Sequence, residues 1–229
     1  MKTIGLIGGM SWESTLTYYQ IINREVKETL GGLHSAKILL YSVDFAEIEG
    51  YQVRGEWEKS GQVLADVALG LEKAGADYIF LCTNTMHKVA SYITKAISIP
   101  FIHIASATGE VLKENNITKV ALLGTIFTME QDFYKQTLIE DGFEVMVPEK
   151  EERELIHHVI YNELVLGKIS PSSKQSFISI IENLSRKGAQ GVILGCTEIG
   201  LLITQDDTSL PVFDTAIIHA KKAATLAIE

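Results

Sequence analysis

Two cysteines, Cys82 and Cys196, are the entire thiol content of the 229 residues. Each directly follows a short apolar run, Tyr-Ile-Phe-Leu before Cys82 and Val-Ile-Leu-Gly before Cys196. The first is followed by Thr83, Asn84 and Thr85, the second by Thr197 and Glu198. Small polar residues past a strand end suit the cap of a following helix, where exposed amides and a positive dipole end attract carboxylates and lower a thiol's pKa. A single cysteine is ordinarily a small buried hydrophobe. A pair in matching contexts suggests chemistry. Inverting a carbon by proton transfer needs an acid on one face and a base on the other, because one group alone returns the proton to the face it left. A free thiol is only a few per cent ionised near neutral pH, so such a site is expected to lower one thiol's pKa and shield both from water. A disulfide between the two would abolish that chemistry.

Other chemistries leave weaker traces. CxxC, HxxH and HExxH are absent, and a metal would need His87 or His219 as added ligands, so no metal site is expected. Cys82 and His87 lie five residues apart, a spacing that turns the imidazole away from the thiol and makes His87 a cap or core residue. His34, His103, His157, His158 and His219 show no ligand spacing either. Gly8-Gly9-Met10 follows a first strand and permits close backbone approach to a ligand. Neither GxGxxG nor a Walker sequence occurs, and no local pattern singles out a Schiff-base lysine, so no cofactor is expected.

The elements that must position these residues alternate along the chain. Short apolar runs are separated by longer amphipathic stretches, the pattern of parallel strands covered by helices, so the fold class is α/β with mostly parallel central sheets. Strands are predicted at 3–7, 37–43, 77–81, 100–104 and 119–123. Helices are predicted at 13–30, with Leu16, Tyr19, Ile22 and Val26 as its apolar positions, and at 57–73. In open parallel sheets ligands bind beyond the carboxyl ends of the strands, where both cysteines fall.

The chain also repeats itself. Thr3-Ile-Gly-Leu-Ile-Gly8 matches Lys119-Val-Ala-Leu-Leu-Gly124 at an offset of 116 (124 − 8). The segment ending in Cys82-Thr-Asn matches that ending in Cys196-Thr-Glu at 114 (196 − 82), and Ser98 to His103 matches Ser209 to Asp214 at 111 (209 − 98). Order is preserved and the offset drifts by five, as loop insertions and deletions allow. Two βα halves are therefore expected, residues 1–115 and 116–214, with a final helix at 215–229 packing back on the first. If the halves face one another about a pseudo-dyad, the two thiols address one cleft.

Composition bounds the remaining classes. With 46% hydrophobic and 21% charged residues and only 4 Pro, the chain is neither disordered nor collagen-like. No apolar run reaches the roughly 18 residues of a spanning helix, and the mean hydropathy of +0.15 reflects short buried strands. A net charge of −9 opposes broad binding to nucleic acid or anionic membrane. The N-terminal segment lacks a signal peptide's longer apolar core, which with two widely separated cysteines makes a reducing cytoplasm the expected location. A homodimer is the default assembly.

Leu-Ile-Gly-Gly-Met, Leu-Cys82-Thr-Asn-Thr-Met-His and Gly-Cys196-Thr-Glu-Ile-Gly together resemble the aspartate/glutamate racemase superfamily of cofactor-independent amino-acid racemases. Gly-Gly-Met-Ser-Trp-Glu-Ser, Gly-Gly-Leu-His-Ser-Ala and Arg-Gly-Glu-Trp are similar to bacterial L-aspartate/glutamate-specific and broad-specificity members. The resemblance implies two pseudo-symmetric α/β/α halves with the active site between them, and Cys82 and Cys196 as proton donor and acceptor for opposite enantiomers. It implies that Thr83, Asn84, Thr85, Thr197 and Glu198 hold the substrate's amino and carboxylate groups, with Met10 and Gln52 nearby. Lys168 would pair with a carboxylate as a buried cation, and Arg54 would supply a second, although the spacing around Arg54 departs from the archaeal aspartate-racemase pattern. The expected activity is racemisation of aspartate, glutamate or both. Alternatives are a broader amino-acid racemase, a maleate-isomerase-like or decarboxylating enzyme using a single cysteine, and a silent dicarboxylate-binding protein.

Overall fold

The computed structural model describes all residues, Met1–Glu229, and the chain divides into two compact units. The first is Met1–Ile104 with Ala216–Glu229, the second Ala105–Thr215. Elements of the first are β1 (Thr3–Gly8), α1 (Trp12–Leu30), β2 (Lys37–Ser42), α2 (Phe45–Val53), α3 (Trp57–Lys73), β3 (Tyr78–Leu81), α4 (Ala90–Ala96) and β4 (Phe101–Ile102). The second holds α5 (Ile104–Glu114), β5 (Lys119–Gly124), α6 (Ile126–Glu130), α7 (Asp132–Glu140), β6 (Glu144–Met146), α8 (Lys150–Asn162), α9 (Pro171–Arg186), β7 (Val192–Gly195) and β8 (Val212–Asp214). The final helix, α10 (Thr215–Ile228), returns to the first unit. No helix is long and apolar enough to cross a membrane.

Each unit has a four-stranded parallel sheet, ordered β2-β1-β3-β4 in the first and β6-β5-β7-β8 in the second. Alternation along the strands divides the side chains of the first sheet between two helical layers. Ile7, Ile79 and Leu81 pack with Leu64, Ala68 and Leu71 of α3 and with Ile93 of α4. Ile4, Leu6 and Phe80 pack with Tyr18, Ile22 and Val26 of α1 and with a run of alanines from Ala216 to Ala227 on α10. In the second unit Ala121, Leu123, Val192 and Leu194 pack with Ile156 and Ile160 of α8 and Phe177 and Ile181 of α9.

Three expectations shift. The division falls at 104/105 rather than 115, because α5 is tied to α7: the Tyr134 hydroxyl donates to Thr108 Oγ1 at 3.4 Å and Lys113 pairs with Asp141 at 2.9 Å. The predicted strand 100–104 shrinks to Phe101–Ile102, since Ile104 opens α5. The core face of α1 is formed by Ser14, Thr15, Tyr18, Ile22 and Val26, while Leu16 and Tyr19 are 46% and 49% exposed. Sequence periodicity marked an apolar stripe but not that α1 carries two.

Candidate active site

Cys82 stands one residue beyond β3. Its amide donates to Ile7 O at 2.9 Å, and its carbonyl accepts from Ser14 Oγ at 3.3 Å, so β1 and α1 both hold its backbone. The side chain is fully buried in the layer of Ile4, Leu6, Tyr18 and Phe80. Burial pushes this thiol far above its ordinary range. Thr83, Asn84 and Thr85 are buried in the following loop.

Behind that loop stands His87. Its Nδ1 lies 2.8 Å from Thr83 O, and its Nε2 accepts the amide of Ile104 at 3.1 Å. Those partners require a neutral ring with the proton on Nδ1. Burial is the main cause of its lowered pKa, with His103 and His219 adding to it. His103 packs edge-on at 4.4 Å between ring centroids and is itself held down to about 4 by burial. His219 of α10 completes the group, with Nε2 donating to Ile102 O at 2.9 Å and Nδ1 accepting from the Tyr18 hydroxyl at 2.8 Å. The structure therefore makes His87 a clamp between the Cys82 loop and the start of α5. The sequence marked it as a cap or core residue and missed His103 and His219, whose neighbours arrive from distant segments.

Cys196 stands one residue beyond β7 and is also buried. Its Sγ donates to Glu198 Oε2 at 3.0 Å, and Thr197 Oγ1 donates to the same oxygen at 2.8 Å. Burial is the largest cause raising this thiol, the adjacent Glu198 carboxylate raises it further by charge and hydrogen bond, and Asp214 adds to both. Gly200 makes room for Asp214, since a Cβ there would overlap Asp214 Oδ2. Both cysteines are free thiols.

The expected lowering of a thiol by a helix N-terminus is not found. The cysteines lead into 3-10 turns, Thr85–Val89 and Ile199–Leu201, whose caps Asn84 and Glu198 make no side-chain capping bond. Such short turns add little dipole, so burial decides both thiols.

Ladder register also refines the repeat. Ile7 pairs with Leu81 and its equivalent Leu123 (7 + 116) pairs with Leu194, so the third strands correspond at 113 (194 − 81), not 114. Cys82 is one residue past Leu81, whereas Cys196 is two past Leu194. A slip of one residue reverses the face. Cys82 accordingly packs in the layer of α1 and α10, which follow β1 and β8, and Cys196 in that of α8 and α9, which connect β6 to β7.

Other residues expected at the site are more dispersed. Met10 is buried against the α3 layer, and Gln52 donates to Met86 Sδ at 2.9 Å. The glycines before Met10 admit protein rather than ligand: a Cβ at Gly8 would overlap the Thr15 side chain, and one at Gly9 (φ +94°) the Val43 carbonyl. Arg54 pairs with Glu56 at 2.8 Å on the surface. Lys168 is exposed rather than buried, beyond the turn Leu164–Leu166.

Two four-stranded parallel sheets, each with a buried free thiol past the third strand of its repeat, define a two-unit cysteine-bearing α/β fold. The family model for Asp/Glu/hydantoin racemases matches residues 7–223, and the chain belongs to that family. It is an isomerase of the amino-acid racemase type. It shares 52% identity and a TM-score of 0.95 with a Yersinia pestis structure assigned as an Asp/Glu racemase, with 100% of each chain covered. An aspartate racemase homologue from Pyrococcus horikoshii OT3 is 39% identical, with a TM-score of 0.87 and 100% of each chain covered. The broad specificity amino-acid racemase RacX of Bacillus subtilis (strain 168) is 23% identical, over 97% of this chain and 96% of RacX.

Proposed function

We propose that this protein racemises an acidic amino acid, aspartate or glutamate, by passing the α-proton between Cys82 and Cys196 without a cofactor. The observation that supports this most is the pair of buried free thiols, each just past the corresponding strand of two identically ordered sheets. Racemisation needs two groups alike in chemistry and opposite in hand relative to the reacting carbon. The names of the relatives favour an acidic substrate.

In this mechanism one cysteine, as thiolate, takes the α-proton and leaves a carbanion delocalised into the substrate carboxylate. The other thiol delivers its own proton to the opposite face. The enantiomer bound decides which cysteine is base, and each turnover exchanges their protonation states. Both thiols rest protonated because burial raises them, so the base forms as the positively charged ammonium of the substrate enters and one thiol gives up its proton, Cys196 to Glu198 and Cys82 to solvent water. Glu198, 3.0 Å from Cys196 Sγ, receives that thiol's proton when Cys196 is the base. Thr83, Asn84, Thr85 and Thr197 hold the amino and carboxylate groups, with Met10 and Gln52 alongside, and exposed Lys168 meets the side-chain carboxylate. The reaction takes place in the cytoplasm.

The test tracks optical rotation of single enantiomers of aspartate and glutamate for the parent, Cys82→Ser and Cys196→Ser. Loss of turnover in both variants is expected. Full activity in either, or turnover of maleate with no amino-acid racemisation, would overturn the reading.

A further inference from the structure

The chain turns sharply at Cys82. Thr83 N donates to Leu81 O at 2.9 Å, a three-residue turn with Cys82 at its centre, where the backbone leaves β3. The aim of a residue in so short a turn depends on what holds the peptides after it. Ser14 Oγ reaches Cys82 O at 3.3 Å, a long bond, whereas His87 Nδ1 donates to Thr83 O at 2.8 Å and the His87 amide donates to Asn84 O at 3.1 Å. One residue thus fastens two consecutive carbonyls directly after the thiol.

The imidazole is itself fixed. Its Nε2 accepts the Ile104 amide at 3.1 Å, and the rings of His103, Phe101 and His219 stand 4.4, 5.5 and 6.0 Å from it between centroids. Accepting on Nε2 leaves the ring proton on Nδ1, the form that donates to Thr83 O. The second unit has no such device. Its loop, Thr197-Glu-Ile-Gly-Leu201, carries no histidine, and Glu198 Oε2 binds the Cys196 sulfur directly at 3.0 Å. The Cys82 side chain packs among Ile4, Leu6, Tyr18 and Phe80, so its aim comes from the backbone.

We propose that His87 is a positioning residue for Cys82: its Nδ1–H bond to Thr83 O aims the thiol at the substrate α-carbon, while its Nε2 bond to Ile104 fixes the ring. The assignment rests on the racemase reading above. Loss of the Thr83 bond slows proton transfer at Cys82 and leaves transfer at Cys196 as it was. A displacement of about 1 Å in a reacting group costs about 100-fold in rate.

Two variants divide the bonds. In His87→Asn the side-chain amide falls at the place of Nδ1 and donates to Thr83 O without reaching Ile104; in His87→Gln the side-chain carbonyl falls at the place of Nε2 and accepts from Ile104, leaving Thr83 O without its donor. Each loses one buried hydrogen bond, so urea unfolding should show both destabilised to a similar degree. Racemisation of single enantiomers of aspartate and glutamate should nonetheless separate them, with kcat down about 100-fold in His87→Gln and within about threefold of the parent in His87→Asn. With α-deuterated substrates, transfer at Cys82 becomes limiting in both directions in His87→Gln. The isotope effect on kcat/KM then rises for the enantiomer whose proton Cys82 takes and falls toward one for the enantiomer whose proton Cys196 takes. A purely structural role would slow both variants alike and leave the two isotope effects as in the parent. That result, full kcat in His87→Gln, or a 100-fold loss in a folded His87→Asn would overturn the inference and leave the racemase reading standing. A parent that racemises neither amino acid overturns both.

Discussion

Replacing His219 with Gln tests how the buried histidines support the first unit. Burial holds His219 down to about 3, against an ordinary value near 6.5 for an unfolded chain. A histidine held neutral by folding contributes stability that is fully present above about pH 6.5 and is lost as pH falls toward the folded value. At pH 4.5 the unfolded imidazole is charged and the folded one is not. The two-unit gap below 6.5 then costs about 2–3 kcal/mol, approaching about 5 kcal/mol below pH 3. Gln at this position can still donate to Ile102 O and accept from Tyr18, but it does not titrate. His87, His103 and the carboxylates are common to both proteins, so the difference between them isolates His219. Urea unfolding at pH 7 and pH 4.5 should therefore show the variant losing about 2–3 kcal/mol less than the wild type on acidification. Equal losses would show that His219 is not held neutral, refuting the hydrogen-bond assignment that ties α10 to α1 and β4.

Glu198→Gln removes the charge that raises the Cys196 thiol while leaving an amide oxygen that can still accept from it, so in a Cys82→Ser background the thiolate absorbance should appear at lower pH than with Glu198 present. An unchanged or higher midpoint would separate Glu198 from the thiol. Gly195 pairs with Gly124, and a Cβ at Gly195 would stand 2.9 Å from Leu123 O and Leu122 Cδ1, so Gly195→Ala should cost about 1–3 kcal/mol in urea unfolding. Wild-type stability in that variant would show that the β5–β7 contact relaxes easily.

Local patterns made the strands and cysteines readable. β1 and β5 are continuous apolar runs because both faces of each are covered, and Trp57–Lys73 matches the predicted helix residue for residue. Long-range packing explains what was missed. Nothing local tells α1 which stripe faces the sheet, since Ser14 and Thr15 enter the core by bonding to Cys82 O, Ser11 O and Gly9 N. The aligned Cys-Thr motifs hid the one-residue ladder difference, which depends on which residues pair across β1–β3 and β5–β7. The Cys196–Glu198 contact was within reach, because a residue two positions on can fold back across a turn, yet its effect on the thiol opposes the expected capping. Gly8 and Gly9 read as ligand-facing because the sequence does not show Thr15 and Val43 filling that space.

In the proposed reaction two different cysteines handle the two faces of the α-carbon. Its most direct test starts from one enantiomer of the substrate in deuterated water and measures α-deuterium in both enantiomers at low conversion. Two separate groups should give a product enantiomer carrying solvent deuterium while the remaining substrate keeps its original proton. A product that retains the substrate's own proton, or equal deuterium in both enantiomers from the start, would contradict a Cys82/Cys196 pair and point to a single base.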